Sequence, residues 1–205
     1  SVIDTDTNTV SATIDAYATT IGLSPDGSIL YAVDCSEGTL TAFDAASRSL
    51  LRTGAVCPSP YGIAVNNDGS FVYVGSIDDG TVSIIEASTF EIVDTVAVTD
   101  PGDAVWDIEA SPDGSLMYVL SASSCMLTVI DGRTGSILDS RCLLPERHPS
   151  ACRLALSPDR SRIAVSYSTP SGLSQRVLII DGGSFDVLAS IPIQDPSDIA
   201  FSPDG

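Results

Sequence analysis

The 205-residue sequence contains no lysine and only one histidine; its nine basic residues are all arginines, set against 27 aspartates and glutamates, for a formal net charge of −18. Phosphate backbones are held by clustered basic side chains, so this balance argues against a nucleic-acid partner and against an anionic membrane surface. Long apolar runs are missing as well. Leu116 to Leu120 and Val177 to Ile180 fall far short of the ~20 residues that span a bilayer, so no membrane insertion is expected. Ser1 to Asp6 carries neither a basic nor an apolar leader segment, which places any targeting peptide outside these residues. There is no Gly-x-Ser-x-Gly elbow, no Cys-x-x-Cys and no Cys/His ligand spacing, so no cofactor or metal is expected.

What the chain does have is a repeat. Ser24-Pro25-Asp26-Gly27, Asn66-Asn67-Asp68-Gly69, Ser111-Pro112-Asp113-Gly114, Ser157-Pro158-Asp159-Arg160 and Ser202-Pro203-Asp204-Gly205 place their aspartates 42, 45, 46 and 45 residues apart. Such a tetrapeptide suits a type I turn: Ser accepts a local hydrogen bond, Pro presets φ, and Gly relieves the last position. Arg160 and the Ser168 to Gln175 insertion make the fourth copy the least regular. Short apolar strands flank each turn, a third strand ends in an acid (Asp4, Asp44, Glu86, Asp131, Asp181), and a fourth follows another turn. With these strands called a to d, the chain reads c and d over 1–14, four sets of a to d over 20–53, 62–96, 107–141 and 153–191, and a further strand a within 198–205. The expected class is all-β, a β-propeller of four-stranded antiparallel blades, about five in this segment. Because the last strand a lacks its hairpin partner, these residues are expected to form part of a larger ring rather than a closed one.

The run from Ser1-Val2-Ile3-Asp4-Thr5-Asp6-Thr7-Asn8-Thr9-Val10 to Ile14, with Ala200-Phe201-Ser202-Pro203-Asp204-Gly205, resembles the YVTN family of β-propeller repeats, related in architecture to WD-repeat and lactonase-type propellers. The resemblance implies strand a innermost and strand d outermost, with a–b and c–d turns on one face and b–c and d–a loops on the other. All five cysteines then fall on or near the second face, in loops: Cys35 and Cys125 between b and c, Cys57 and Cys142 at or beyond the end of d, Cys152 just before a. Cysteines so placed fit an oxidising compartment and an extracellular or cell-surface location. Cys35 with Cys57 is one pairing; Cys142 with Cys152 or Cys125 is the other candidate.

Charge is unevenly spread. Arg133 to Arg176 holds seven arginines and three acids (Asp139, Glu146, Asp159), a net of +4, which leaves −22 for the rest. This segment, with Arg141, Arg147, His148, Arg153 and Arg176, is the candidate surface for a protein partner or self-association. His148, in a loop, reads as an exposed side chain. Asp4-Thr5-Asp6-Thr7-Asn8 mimics the start of a calcium loop, but acids recur at the Asp4 position in every copy, so turn chemistry accounts for it. Tyr61 and Trp106 read as packing between blades, with a ligand mouth as the alternative. The expected function is a non-enzymatic structural or protein-interaction propeller, with self-assembly at a surface as one form of it. The alternative is a lactonase-like or other small-molecule enzyme at the channel mouth, for which the starts of the inner strands offer Asp103, Asp107, Arg153 and Asp198.

Overall fold

A computed structural model describes residues 1–122, 124–143, 151–168, 175–194 and 198–205, and the backbone alone at 151, 152 and 168. Every element among them is a strand. A hairpin, β1 (Val2–Asp4) and β2 (Thr9–Ala12), is followed by four antiparallel sheets whose strands pair in chain order. Blade I is β3 (Thr20–Leu23), β4 (Ile29–Asp34), β5 (Thr39–Asp44) and β6 (Leu50–Ala55); blade II is β7 (Pro60–Val65), β8 (Phe71–Ser76), β9 (Thr81–Glu86) and β10 (Ile92–Ala97). Blade III is β11 (Val105–Ala110), β12 (Leu116–Ser121), β13 (Met126–Asp131) and β14 (Ile137–Cys142); blade IV is β15 (Ala151–Leu156), β16 (Arg162–Ser168), β17 (Gln175–Asp181) and β18 (Val187–Pro192).

The turns form because each supplies its own hydrogen bonds. In the first, the Gly27 amide donates to Ser24 O (2.8 Å), the Ser24 hydroxyl donates to Asp26 Oδ1 (2.6 Å) and accepts from the Ile29 amide (2.9 Å), and the Ser28 amide donates to Asp26 Oδ1 (3.0 Å). The irregular fourth copy closes the same way, the Arg160 amide donating to Ser157 O (2.9 Å) with Arg160 itself in the left-handed region at φ 61°. At the c–d turns the acid caps its own loop: Asp4 Oδ1 accepts from the Asp6 and Thr7 amides and the Thr7 hydroxyl (3.0, 2.8 and 2.9 Å), and Asp44, Asp131 and Asp181 repeat the pattern. The calcium-like opening is therefore a turn motif.

The first strands lie side by side, β7 against β3 and β11, and β11 against β15, while β6, β10 and β18 are exposed almost throughout. The inner and outer assignment thus holds, and the blades are arranged as in a propeller. Each pair of neighbouring blades encloses one hydrophobic core. Tyr31, Leu40, Ile63 and Val74 sit between I and II; Tyr73, Ile84, Ile108 and Met117 between II and III; Tyr118, Leu127, Leu154 and Ile180 between III and IV. Outer strands carry a β-bulge at the same place in every copy, where Leu51, Val93, Leu138 and Leu188 fall out of register with the third strand. Bulges of this kind twist an exposed edge away from pairing with another chain.

Residues 198–201 pair with no strand among the described residues. One expectation fails: Cys152 lies within β15 rather than just before it, while Cys142 ends β14 as read from the sequence.

Candidate functional site

Aligning the four innermost strands and the last segment on their turns sets Thr20, Gly62, Asp107, Arg153 and Asp198 in one column and Ile21, Ile63, Ile108, Leu154 and Ile199 in the next. The third column reads Gly22, Ala64, Glu109, Ala155 and Ala200. Small residues suit a position where inner strands crowd the axis, so Glu109 is the exception. It lines a cavity of about 440 Å³ bounded by β3, β7 and β11 and the turns that follow them. Asp107 and Glu109 are the charged side chains of its wall, between the apolar flanks of Ile21, Leu23, Ile63 and Val65.

Asp107 ties blade III to blade IV. Its Oδ2 accepts from the Leu154 amide (2.8 Å) and its Oδ1 from the Ile108 amide (3.1 Å). Burial raises it to about 6, with Asp198 adding to the rise while the Leu154 amide and Arg153 oppose it. Burial, then the negative charges of Asp107 and Asp198, lifts Glu109 to about 7. Arg153 crosses from blade IV to blade II: its guanidinium lies 5.6 Å from the centre of the Tyr61 ring and donates to the Tyr61 hydroxyl (3.3 Å). Tyr61 in turn meets Trp106 edge-on at 5.1 Å, and Trp106 packs on the III/IV core. The two aromatics pack between blades, as read from the sequence. Asp103 is apart from this cluster; it accepts from the Thr99 hydroxyl and the Ser124 amide (2.7 and 3.1 Å), bracing the loop before β11.

The described arginines of the candidate basic surface lie on three different strands. Arg141 is on an outermost strand, paired with Asp139 (3.0 Å) and lying over Phe185 (5.8 Å); Arg153 is on an innermost one; Arg176, on β17, donates to the Ser190 hydroxyl (3.0 Å). Arg160 pairs with Asp113 (2.7 Å) and Arg162 with Asp181 (3.5 Å). These arginines join strands and blades. Arg147 and His148 lie outside the described residues.

The cysteine expectation is corrected in part. Cys57 and Cys125 are buried in the I/II and III/IV cores, where a thiol packs as a small apolar group. Cys35 and Cys57 come close enough to interact, but both are unbonded thiols. Burial, with Asp79 and Cys35 adding, pushes Cys57 up to about 12. Cys125 donates to Ala122 O and Cys142, which is exposed, to Ser124 O; the Cys152 side chain is outside the described residues. Among the described residues no group of three His, Cys, Asp or Glu is set to hold a metal.

No family model matches the sequence, and no curated protein matches it. Solved structures do, 1270 chains of them, a breadth that speaks to fold rather than to activity. One, hydrazine synthase of Kuenenia stuttgartiensis, superposes with a TM-score of 0.76 at 28% identity over 86% of this chain and 49% of that one. The chain thus spans about half the length of this neighbour.

Proposed function

We propose that the chain is a non-enzymatic protein-interaction or structural segment of a larger propeller ring of the YVTN type, carried by an extracellular or cell-surface protein. The observation that carries this reading is the uncovered inner strand of blade I. Ile21 is 60% exposed, whereas its counterparts Ile63, Ile108 and Leu154, each covered by an adjoining blade, are 7%, 2% and 2% exposed. Apolar side chains at these positions are built to be covered, and the half-length match to a propeller-type neighbour supports further blades as the cover. In the native full-length protein, a cysteine at position 21 (Ile21→Cys) should react with a maleimide slowly, and one at exposed Ile92 rapidly, even when the reagent cannot enter intact cells. Equal rates at both positions defeat the ring, and labelling of the Ile92→Cys protein only after lysis defeats the surface location.

The channel favours a second reading. Glu109 and Asp107, held near neutrality beside an open cavity, suit a small-molecule site in a lactonase-like arrangement. Turnover of simple lactones that Glu109→Gln abolishes, with thermal stability kept, would establish it; no turnover by the native protein removes it.

A further inference from the structure

Two of the three seams between blades are closed at the rim by an aromatic ring and an arginine. At I/II, Phe90 from the c–d turn of blade II packs near Tyr31 (6.3 Å between ring centres), with Arg52 of β6 lying over it at 5.7 Å and donating to Thr89 O. At III/IV, Phe185 packs near Tyr118 (6.4 Å) beneath Arg141 of β14. At II/III both parts are absent: Gly135 stands at the Phe position, Asp94 at that of Arg52 (where III/IV has Asp139) and Val96 at that of Arg141.

An open cleft of about 390 Å³ lies at the rim of II/III. Phe71, Ile84 and Val93 form its apolar walls, with Asp94 and Glu86 on blade II and Thr134 across from them. Asp94 is exposed, and Glu86 accepts from the Thr89 hydroxyl (2.7 Å). Arg133 also lies on the rim, and its charge acts on Asp68 and Asp131. The cleft therefore presents an aromatic face, an aliphatic wall and a carboxylate in the place that an arginine of this same chain occupies one seam away.

We infer that this cleft seats an arginine side chain from a basic segment of a protein partner. The stem would lie along Val93 and Ile84, the guanidinium over Phe71 and against Asp94, reproducing the Arg52 arrangement in trans. Charge complementarity favours this occupant, since the chain carries −18 overall and Asp94 meets the incoming cation. The inference rests on the interaction reading above and names the partner chemistry for one surface of it.

The test is an NMR titration of the protein with acetyl-Gly-Arg-Gly-amide, and with the same peptide carrying citrulline, which keeps the shape of arginine without its charge. The arginine peptide should shift the Val93, Asp94 and Thr134 amides, and citrulline should weaken binding at least tenfold. Asp94→Asn should do the same, and Asp94→Arg, which supplies the missing side chain in cis, should abolish the shifts. Shifts elsewhere only, equal response to citrulline, or unchanged binding by the Asp94→Arg protein would each overturn the assignment. None of these results bears on the labelling of Ile21→Cys and Ile92→Cys, so the ring reading stands or falls separately.

Discussion

The seams I/II and II/III bury the same kind of core with opposite distributions of bulk. At I/II the third strand offers Ala42 and the outer strand Gly54, and the following turn inserts Phe90 over them; Gly54 has the Phe90 ring 3.4 Å from where a Cβ would stand. At II/III the same positions are Ile84, Val96 and Gly135. A Cβ on Gly135 would stand 2.9 Å from Ile84 Cδ1 and 3.0 Å from Val96 Cγ2. Volume is thus conserved across the seam while its source moves from one blade to the other, which is how a close-packed interior tolerates changed residues.

The sharpest way to break this comparison is to move the bulk back. Gly135→Phe alone should destabilise by about 2–3 kcal/mol through overpacking. The backbone is not the obstacle, because Phe90 and Phe185 hold φ of 64° and 60° where Gly135 has 68°. Adding Ile84→Ala should recover at least about 1 kcal/mol of that loss, a coupling read from urea midpoints of the two single variants and the double. Strict additivity would mean the two positions do not share the space.

Polar closure differs in the same way. The Tyr73 hydroxyl at II/III donates to Gly132 O from a fully buried position, whereas Tyr31 and Tyr118 at the other seams meet phenylalanine rings. Tyr73→Phe should therefore cost about 1 kcal/mol and Tyr31→Phe or Tyr118→Phe much less. Equal losses in all three would erase the distinction.

The innermost strand of blade III adds a pH dependence, because Asp107 and Glu109 both lie on it. Both are raised above their ordinary values, to about 6 and about 7, so the unfolded chain ionises first. Their contribution to stability is complete below about pH 4 and is lost as pH rises through about 7, on the order of 1–2 kcal/mol after allowing for the solvated channel. The turn acids act oppositely. Hydrogen bonds, foremost from the Ser24 and Ser111 hydroxyls at Asp26 and Asp113 and from the Ser161 amide at Asp159, hold these carboxylates at about 2, so their contribution is lost only in stronger acid. Thermal midpoints should therefore fall between about pH 5 and about pH 8, and Glu109→Gln should flatten most of that fall. An unchanged slope in the variant would free Glu109 of the role.

Much of this architecture was legible from the sequence because turns are local: a Ser, an Asp and a Gly within four residues close their own hydrogen bonds wherever the blade sits. The strands between were legible from alternation and spacing. Glu109 was missed because a lone glutamate in a strand means little until the copies are stacked in columns, where Gly22, Ala64, Ala155 and Ala200 expose it. The burial of Cys57 and Cys125, and the exchange of Phe90 and Ala42 for Gly135 and Ile84, depend on which blades face each other. No single strand carries that information.

The smallest effect is expected at the turn end of III/IV, where Arg160 stands in the place of Gly27, Gly69 and Gly114. At II/III no side chain fits this position, since a Cβ on Gly114 would stand 2.8 Å from the Asn67 amide nitrogen. At III/IV the side chain reaches Asp113 at 2.7 Å and, at 3.5 Å, the Ser115 hydroxyl. Arg160→Gly relieves a left-handed conformation that costs a non-glycine residue roughly 1 kcal/mol. It also loosens the unfolded chain, by about 0.4–1 kcal/mol, and removes an exposed ion pair of about 0.2–1 kcal/mol. These contributions nearly cancel, so the variant should lie within about 0.5 kcal/mol of the native protein in urea. Salt separates them: raising ionic strength screens the Arg160–Asp113 pair in the native protein and leaves the variant untouched, so the variant should gain relative stability as salt is added. A relative stability that does not change with salt would mean that the pair contributes nothing and that Arg160 is tolerated for its backbone alone.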